Sequence, residues 1–326
     1  MFDVVCVGNM CADILLKPVN EFPEKGKLEL IDMVRLQIGG CASNSAIDLA
    51  RIGINTALIA KVGADGFGSF LKEFLELEHV DISGLKIDKT AGTSTSVVAI
   101  SDDGERSILH CMGVYSNFSL KDIDLDIVKN TKVLFIAGIF LMPMFDGYGA
   151  EELLKMAKSA GVICCMDTAW DSTGQWMRKI EGSLKYLDWF MPSLDEAVKL
   201  AQEESLEGIT DFFAAKGVKN SIIKLGAQGC YVRPQRENGF FISAYENIKV
   251  VDTSGAGDSF CAGFITGLVK GWDLKTCAEF ANAVGAHCVM KMGTTSGIKP
   301  MKEILEFMKI YKRSDFYESK ISTCIF

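Results

Sequence analysis

Two acids, Asp252 and Asp258, stand six positions apart in "VVDTSGAGDSFCAGF", residues 250–264. Between them lie Gly255-Ala256-Gly257, a turn without bulk, and a helical pattern follows. The first turn of a helix has N–H groups without intrahelical partners and a partial positive charge. Small residues let the backbone approach an anion closely there. Asp258 then stands beside an anion cradle, placed to take a proton from an attacking hydroxyl. A cradle of N–H groups next to a carboxylate base suits phosphoryl transfer, in which the barrier falls through positioning and charge stabilisation. The plain alternative makes Asp258 an N-cap and the glycines a turn, and a bare G-A-G-D would favour it. The longer string from Asp252 to Asp258, between a strand-like approach at Val250-Val251 and a small-residue helix, favours the chemistry.

Such a loop needs a frame. The 326 residues are 48% apolar and 23% charged, enough to bury a large core. The net charge of −8 argues against non-specific nucleic-acid binding. No stretch of about 18 apolar residues exists, so no membrane partner is expected, and the N-terminus lacks a basic secretory leader. Eleven cysteines without a C-x-x-C pair, several in apolar runs such as Cys6, Cys164, Cys165, Cys261 and Cys288, read as reduced thiols of a cytoplasmic protein. Three histidines without ligand-like spacing make structural zinc unexpected.

"FDVVCVGN" reads as a buried strand, residues 12–37 as irregular and partly stranded, "ASNSAIDLARIG" as a helix stopped by Gly53, and "TALIAKVG" as one strand. "TSTSVVAIS", "DDGE" and "RSILHCM" read as a hairpin, forming a small sheet with residues 12–37. From residue 120 onward strands ("KVLFIAG", "VICCMD", "LDWFMP", "NSIIKLG", "CYVRP") alternate with helices, the last over 301–312. That pattern predicts a mostly parallel sheet covered on both faces, with ligands beyond the strands' carboxyl ends.

"DTSGAGDSFCAGF" resembles the C-terminal signature of the PfkB/ribokinase family of carbohydrate kinases. "IGGCASNSAIDLARIG" is similar to the family's N-terminal signature, "KVGADGFGSFL" to the segment after it, and "VGNMCADILL" to its first strand. The resemblance runs along nearly the whole chain and implies a single ribokinase-like domain over 1–326. Its fold is a three-layer αβα body with lid segments of about 12–37 and 92–112. It implies ATP-dependent phosphorylation of a sugar with Mg2+, and a homodimer paired through the lids. By the same resemblance Asp258 is the base, and the backbone of Gly255, Ala256 and Gly257 is the anion hole. Asp13, Gly39, Gly40 and Asn44 contact the sugar. Gly226, Gly229, Lys224 and Asn282 hold the nucleotide. Asp252 and Ser254 match positions that bind a monovalent cation such as K+. Each has a bland reading beside it: Asp13 a solvated strand-end acid, Gly39-Gly40 a turn, Lys224 a solvated lysine, Asn282 a polar helix residue, Asp252 a partner of a loop amide or basic side chain.

The chain departs from the family in places. Its magnesium motif N-x-x-E reads Ser193-Leu194-Asp195-Glu196, leaving Glu196 to hold Mg2+ through a water or to serve as a first-turn helix acid. "FIAGIFLMPMF" has no acid for ribose, and Asp171 stands where sugar-acid kinases carry an arginine. An acid there repels a sugar carboxylate, so a neutral sugar is expected. Arg106, after the hairpin turn, is placed as a substrate contact or an exposed turn residue. A nucleoside kinase and a catalytically silent sugar-binding relative stay open as alternatives. A dehydrogenase does not, since "VGNMCAD" lacks G-x-G-x-x-G.

Overall fold

A computed structural model describes residues 1–313; residues 314–326 of the expected single domain lie outside the described residues. The chain opens with β1 (Phe2–Gly8), whose Val4, Val5, Cys6 and Val7 have no exposure. A continuous apolar run of that kind belongs in a sheet covered on both faces. Only Asn9 and Met10 separate it from β2 (Cys11–Lys17), the first strand of a second sheet. β3 (Met33–Gly39) follows, and Gly40 caps α1 (Cys41–Ile52) with φ 102°. Next come β4 (Thr56–Ile59), β5 (Lys61–Gly63), α2 (Gly66–Leu77), β6 (Lys86–Asp88), β7 (Thr95–Ile100) and β8 (Arg106–Cys111).

The rest alternates: α3 (Leu125–Lys129), β9 (Thr131–Ile139), α4 (Tyr148–Ser159), β10 (Ile163–Thr168), α5 (Met177–Leu184), β11 (Trp189–Phe190), α6 (Leu194–Ala201), α7 (Leu206–Ala215) and β12 (Asn220–Lys224). Then β13 (Gly229–Arg233) and β14 (Phe240–Ser243) precede three helices, α8 (Ala256–Lys270), α9 (Leu274–Val289) and α10 (Met301–Ile310).

Among the described residues the large sheet has eight strands in the order β14-β13-β12-β11-β10-β9-β1-β4. Its pairs are parallel from β4 to β12 and antiparallel through β13 and β14. The small sheet runs β3-β2-β7-β8, and β5 pairs with β6. Helices α1, α8, α9 and α10 pack in succession, as do α4 with α5 and α6 with α7. The expected αβα body with a small accessory sheet is therefore present. Two strands of the small sheet, β2 and β3, lie between the carboxyl end of β1 and the start of α1, and the other two, β7 and β8, come from a second excursion after β6.

Several boundaries differ from expectation. "TALIAKVG" is two strands in different sheets, because the chain turns at Ala60 and the Lys61 ammonium pairs with Asp88 and Asp122 at 3.2 and 3.1 Å. "LDWFMP" contributes only Trp189-Phe190, and the last helix stops at Ile310. Val250-Val251 are half-exposed and outside any strand; Val251 and Asp252 donate N–H groups to the carbonyl of Val289 instead. β14, a four-residue edge strand, went unpredicted.

Candidate active site at the start of helix α8

Helix α8 begins at Ala256, two residues before Asp258, with Gly255 as its cap in the left-handed region at φ 77°. A side chain at 255 would also stand 2.4 Å from the carbonyl oxygen of Thr294, so glycine is required there twice over. Helix α1 lies against this turn. Asn44 donates from Nδ2 to Asp258 Oδ2 at 2.8 Å, and Ser45 Oγ donates to the Asp258 carbonyl at 3.1 Å. Asn44 is itself oriented by Thr294, whose hydroxyl donates to Asn44 Oδ1 at 2.9 Å. Burial pushes the Asp258 carboxyl up to about 6, opposed by the Asn44 hydrogen bond and the Lys224 charge. A carboxylate tuned that way is a base matched to near-neutral pH.

Lys224, the last residue of β12, reaches the same turn. Its ammonium lies 3.3 Å from where a β-carbon on Gly257 would sit and pairs with Asp167 Oδ2 at 2.5 Å. Burial opposes its charge, but Asp167 holds the ammonium well above its ordinary value. Burial in turn pushes Asp167 up to about 7 against the pull of Lys224. Cys261, one turn along α8, donates its thiol to Asp167 at 3.5 Å. Sequence reasoning missed Asp167, although an acid ending the apolar run "VICCMD" was a usable signal.

A cavity of about 500 Å³ opens beside the turn. Lys224, Gly226, Gly229, Ala256, Gly257 and Asn282 are among its lining residues. Asn282 spends both amide hydrogens on the carbonyls of Ile242 and Ser243, each at 3.1 Å.

On the other side, toward the small sheet, Asp13 sits on β2 opposite Gln37 of β3. A β-carbon on Gly39 would stand 2.1 Å from Asp13 Oδ2, so glycine clears space for that carboxylate. Burial raises Asp13, and the Cys11 thiol donates to it at 3.1 Å. Gly40 and Asn9 meet at the floor, where Asn9 Oδ1 accepts the Cys41 N–H at 3.1 Å. Asn9 was also missed, a buried polar residue immediately after "DVVCVG".

Several of the expected site residues meet partners within the chain, and for Asp252 and Glu196 these are the alternatives stated from sequence. Arg106, placed from sequence as a substrate contact or an exposed turn residue, donates from its guanidinium to Asp252 Oδ1 at 2.8 Å and to the Ser254 hydroxyl. Asp252 and Ser254, expected around a monovalent cation, therefore meet an arginine, because β8 brings that side chain over the loop. Asp252 also accepts N–H bonds from Ser254 at 2.9 Å and Gly293 at 3.0 Å. Glu196 Oε2 accepts the Ser193 N–H at 2.9 Å and the Thr168 hydroxyl at 3.1 Å, the capping box that Ser193 permits. Asp171 is buried and turned into its own loop, accepting from Thr173 N at 2.9 Å and Trp176 N at 2.6 Å.

The family model described as pfkB family carbohydrate kinase matches residues 1–301. The chain is 27% identical over 329 residues to the 5-dehydro-2-deoxygluconokinase of Clostridium perfringens, with 94% of this chain and 93% of that protein covered. It is 26% identical over 296 residues to the 2-dehydro-3-deoxygluconokinase of Bacillus subtilis, covering 87% and 90%. Its fold matches Arabidopsis thaliana ribokinase, solved with ribose and ATP, at a TM-score of 0.83 and 25% identity, covering 95% and 99%.

Proposed function

The chain belongs to the pfkB family of carbohydrate kinases and carries out ATP-dependent phosphorylation of a sugar, and we propose that Asp258 is the base of that reaction. The observation that carries the reading is its position: in the first turn of α8, bonded to Asn44, with Lys224 across the turn. The sugar hydroxyl gives its proton to Asp258 as its oxygen bonds to the terminal phosphorus of ATP, while the bond from that phosphorus to the β–γ bridging oxygen breaks and ADP leaves with the electron pair. The N–H groups of Gly255 and Gly257 and the Lys224 ammonium take up the charge developing on the phosphoryl oxygens; the Ala256 N–H, which donates to the Thr253 carbonyl at 3.3 Å, joins them only by turning from that carbonyl. ATP lies in the 500 Å³ cavity along Gly226, Gly229 and Asn282. Among the described residues no group of three or more His, Cys, Asp or Glu is arranged to hold a metal. Magnesium fits as an ion carried by ATP phosphates and waters, one water resting on Glu196; it supplies charge neutralisation when bound.

Asp13, Gly39, Gly40 and Asn44 hold the sugar. Two cations near the α8 turn and its loop, Lys224 and Arg106, are already paired with Asp167 and Asp252. Asp13 and Asp258 add negative charge, so a neutral sugar fits better than a sugar acid. We also assign the protein to the cytoplasm, consistent with ten free cysteines and no helix able to cross a membrane among the described residues. Exposed Val34, Ile108 and Leu109 on the small sheet suit pairing of two lids in a homodimer.

The test is a coupled ATP-consumption assay over neutral sugars, sugar acids and nucleosides, run beside Asp258→Asn. Turnover of a neutral sugar that the variant loses is the expected result. Full activity in the variant ends the assignment of the base, and turnover confined to sugar acids ends the neutral-sugar reading.

A further inference from the structure

Asp48 is a carboxyl in the core of the protein, with no exposure. Its Oδ2 accepts a hydrogen bond from Ser259 Oγ at 2.5 Å, and its Oδ1 has no partner. The closest basic residue on its own helix, Arg51, is committed to Glu78 at 2.7 and 2.6 Å and to the Thr295 carbonyl. A buried carboxyl without a countercharge destabilises a fold, and an apolar side chain there would remove that burden. What the carboxyl holds is the residue next to Asp258.

Asp48 lies one helical turn beyond Asn44 and Ser45 on α1, so all three share a face. That face contacts α8 at Asp258 Oδ2, at the Asp258 carbonyl and at the Ser259 hydroxyl. We propose that Asp48 is a positioning residue for catalysis, fixing Ser259 so that the Asp258 carboxylate keeps its aim at the acceptor hydroxyl. The proposal rests on Asp258 being the base. Displacement of a reacting group by about 1 Å is enough to lose about a hundredfold in rate, so a loosened first turn is expected to act on kcat rather than on binding.

The experiment compares Asp48→Ala, Asp48→Asn, Ser259→Ala and the Asp48→Ala/Ser259→Ala double variant, each matched for folded fraction by circular dichroism. Wild-type turnover and its loss in Asp258→Asn are established first, which tests the underlying reading separately. Asp48→Ala and Ser259→Ala should each lower kcat about tenfold or more, with KM for ATP and sugar within about twofold. Asp48→Asn keeps an acceptor for Ser259 and should recover most of the loss. The double variant should be no slower than either single. If Asp48→Ala does not fold, Ser259→Ala and Asp48→Asn still decide. Unchanged kcat in Ser259→Ala, a loss in Asp48→Asn as deep as in Asp48→Ala, or additive losses in the double variant would each overturn the proposal.

Discussion

The two main sheets of this protein are built to opposite standards. In the large one, β1 and β9 pair through residues with almost no exposure, and the carboxyl-terminal parts of β10 and β12 carry Asp167 and Lys224. In the small one, β8 is exposed along its whole length, and Val34, Ile108 and Leu109 keep 66, 61 and 65% of their surface. Burial on both faces makes the first sheet the last part to open, and the thin second sheet the first. On the proposed function, the phosphoryl-transfer residues sit on the more deeply buried part, and the proposed acceptor contact Asp13 sits on the thinner one.

Four experiments press on this contrast. Asp258→Asn should lower kcat by about a thousandfold with ATP binding intact, since a positioned base contributes about 10²–10⁴; isothermal titration with a non-hydrolysable nucleotide checks the second half. Lys224→Met should lower kcat by about a hundredfold and also destabilise the body by about 3 kcal/mol, because it strands a buried Asp167. Chemical denaturation reads that effect, and a stability loss confined to the small sheet would break the comparison. Asp13→Asn should act from the other sheet, raising KM for sugar about tenfold while KM for ATP moves far less, a loss of about 1.4 kcal/mol in binding. The smallest effect concerns ions: replacing K+ by tetramethylammonium should leave turnover nearly unchanged, because Arg106 already supplies positive charge to Asp252. A steep loss would restore a metal-ion role to that loop.

The pH dependence sharpens the same picture. Burial pushes the Asp258 carboxyl up to about 6, and as the proposed base it would work only when deprotonated. Turnover should therefore climb as pH rises through about 6 and level off above it. An acidic limb near 4 would mean that water reaches Asp258 freely.

The αβα body was legible because its strands are buried on both faces, so "VLFIAG" and "VICC" stand out as apolar runs beside amphipathic helices. The G-A-G turn was legible because its constraint is local: Gly255 needs a left-handed backbone within its own few residues. What stayed hidden depends on distance along the chain. Arg106 meets Asp252 across 146 positions, and Asp48 meets Ser259 across 211. No local pattern marks either pair. One short edge was hidden for another reason. β14 carries too few side chains for any period to show, and its neighbour β13 supplies the pairing that makes it a strand.

One contact gives the molecule a mechanical grammar. Arg106 grows from the thin sheet, yet its charge rests on Asp252, and Ser254, which it also touches, directly precedes the glycine that starts the phosphate cradle. A small sheet that lifted away would have to break that pair first, so the contact ties the arrangement of the loop to the position of the sheet above it.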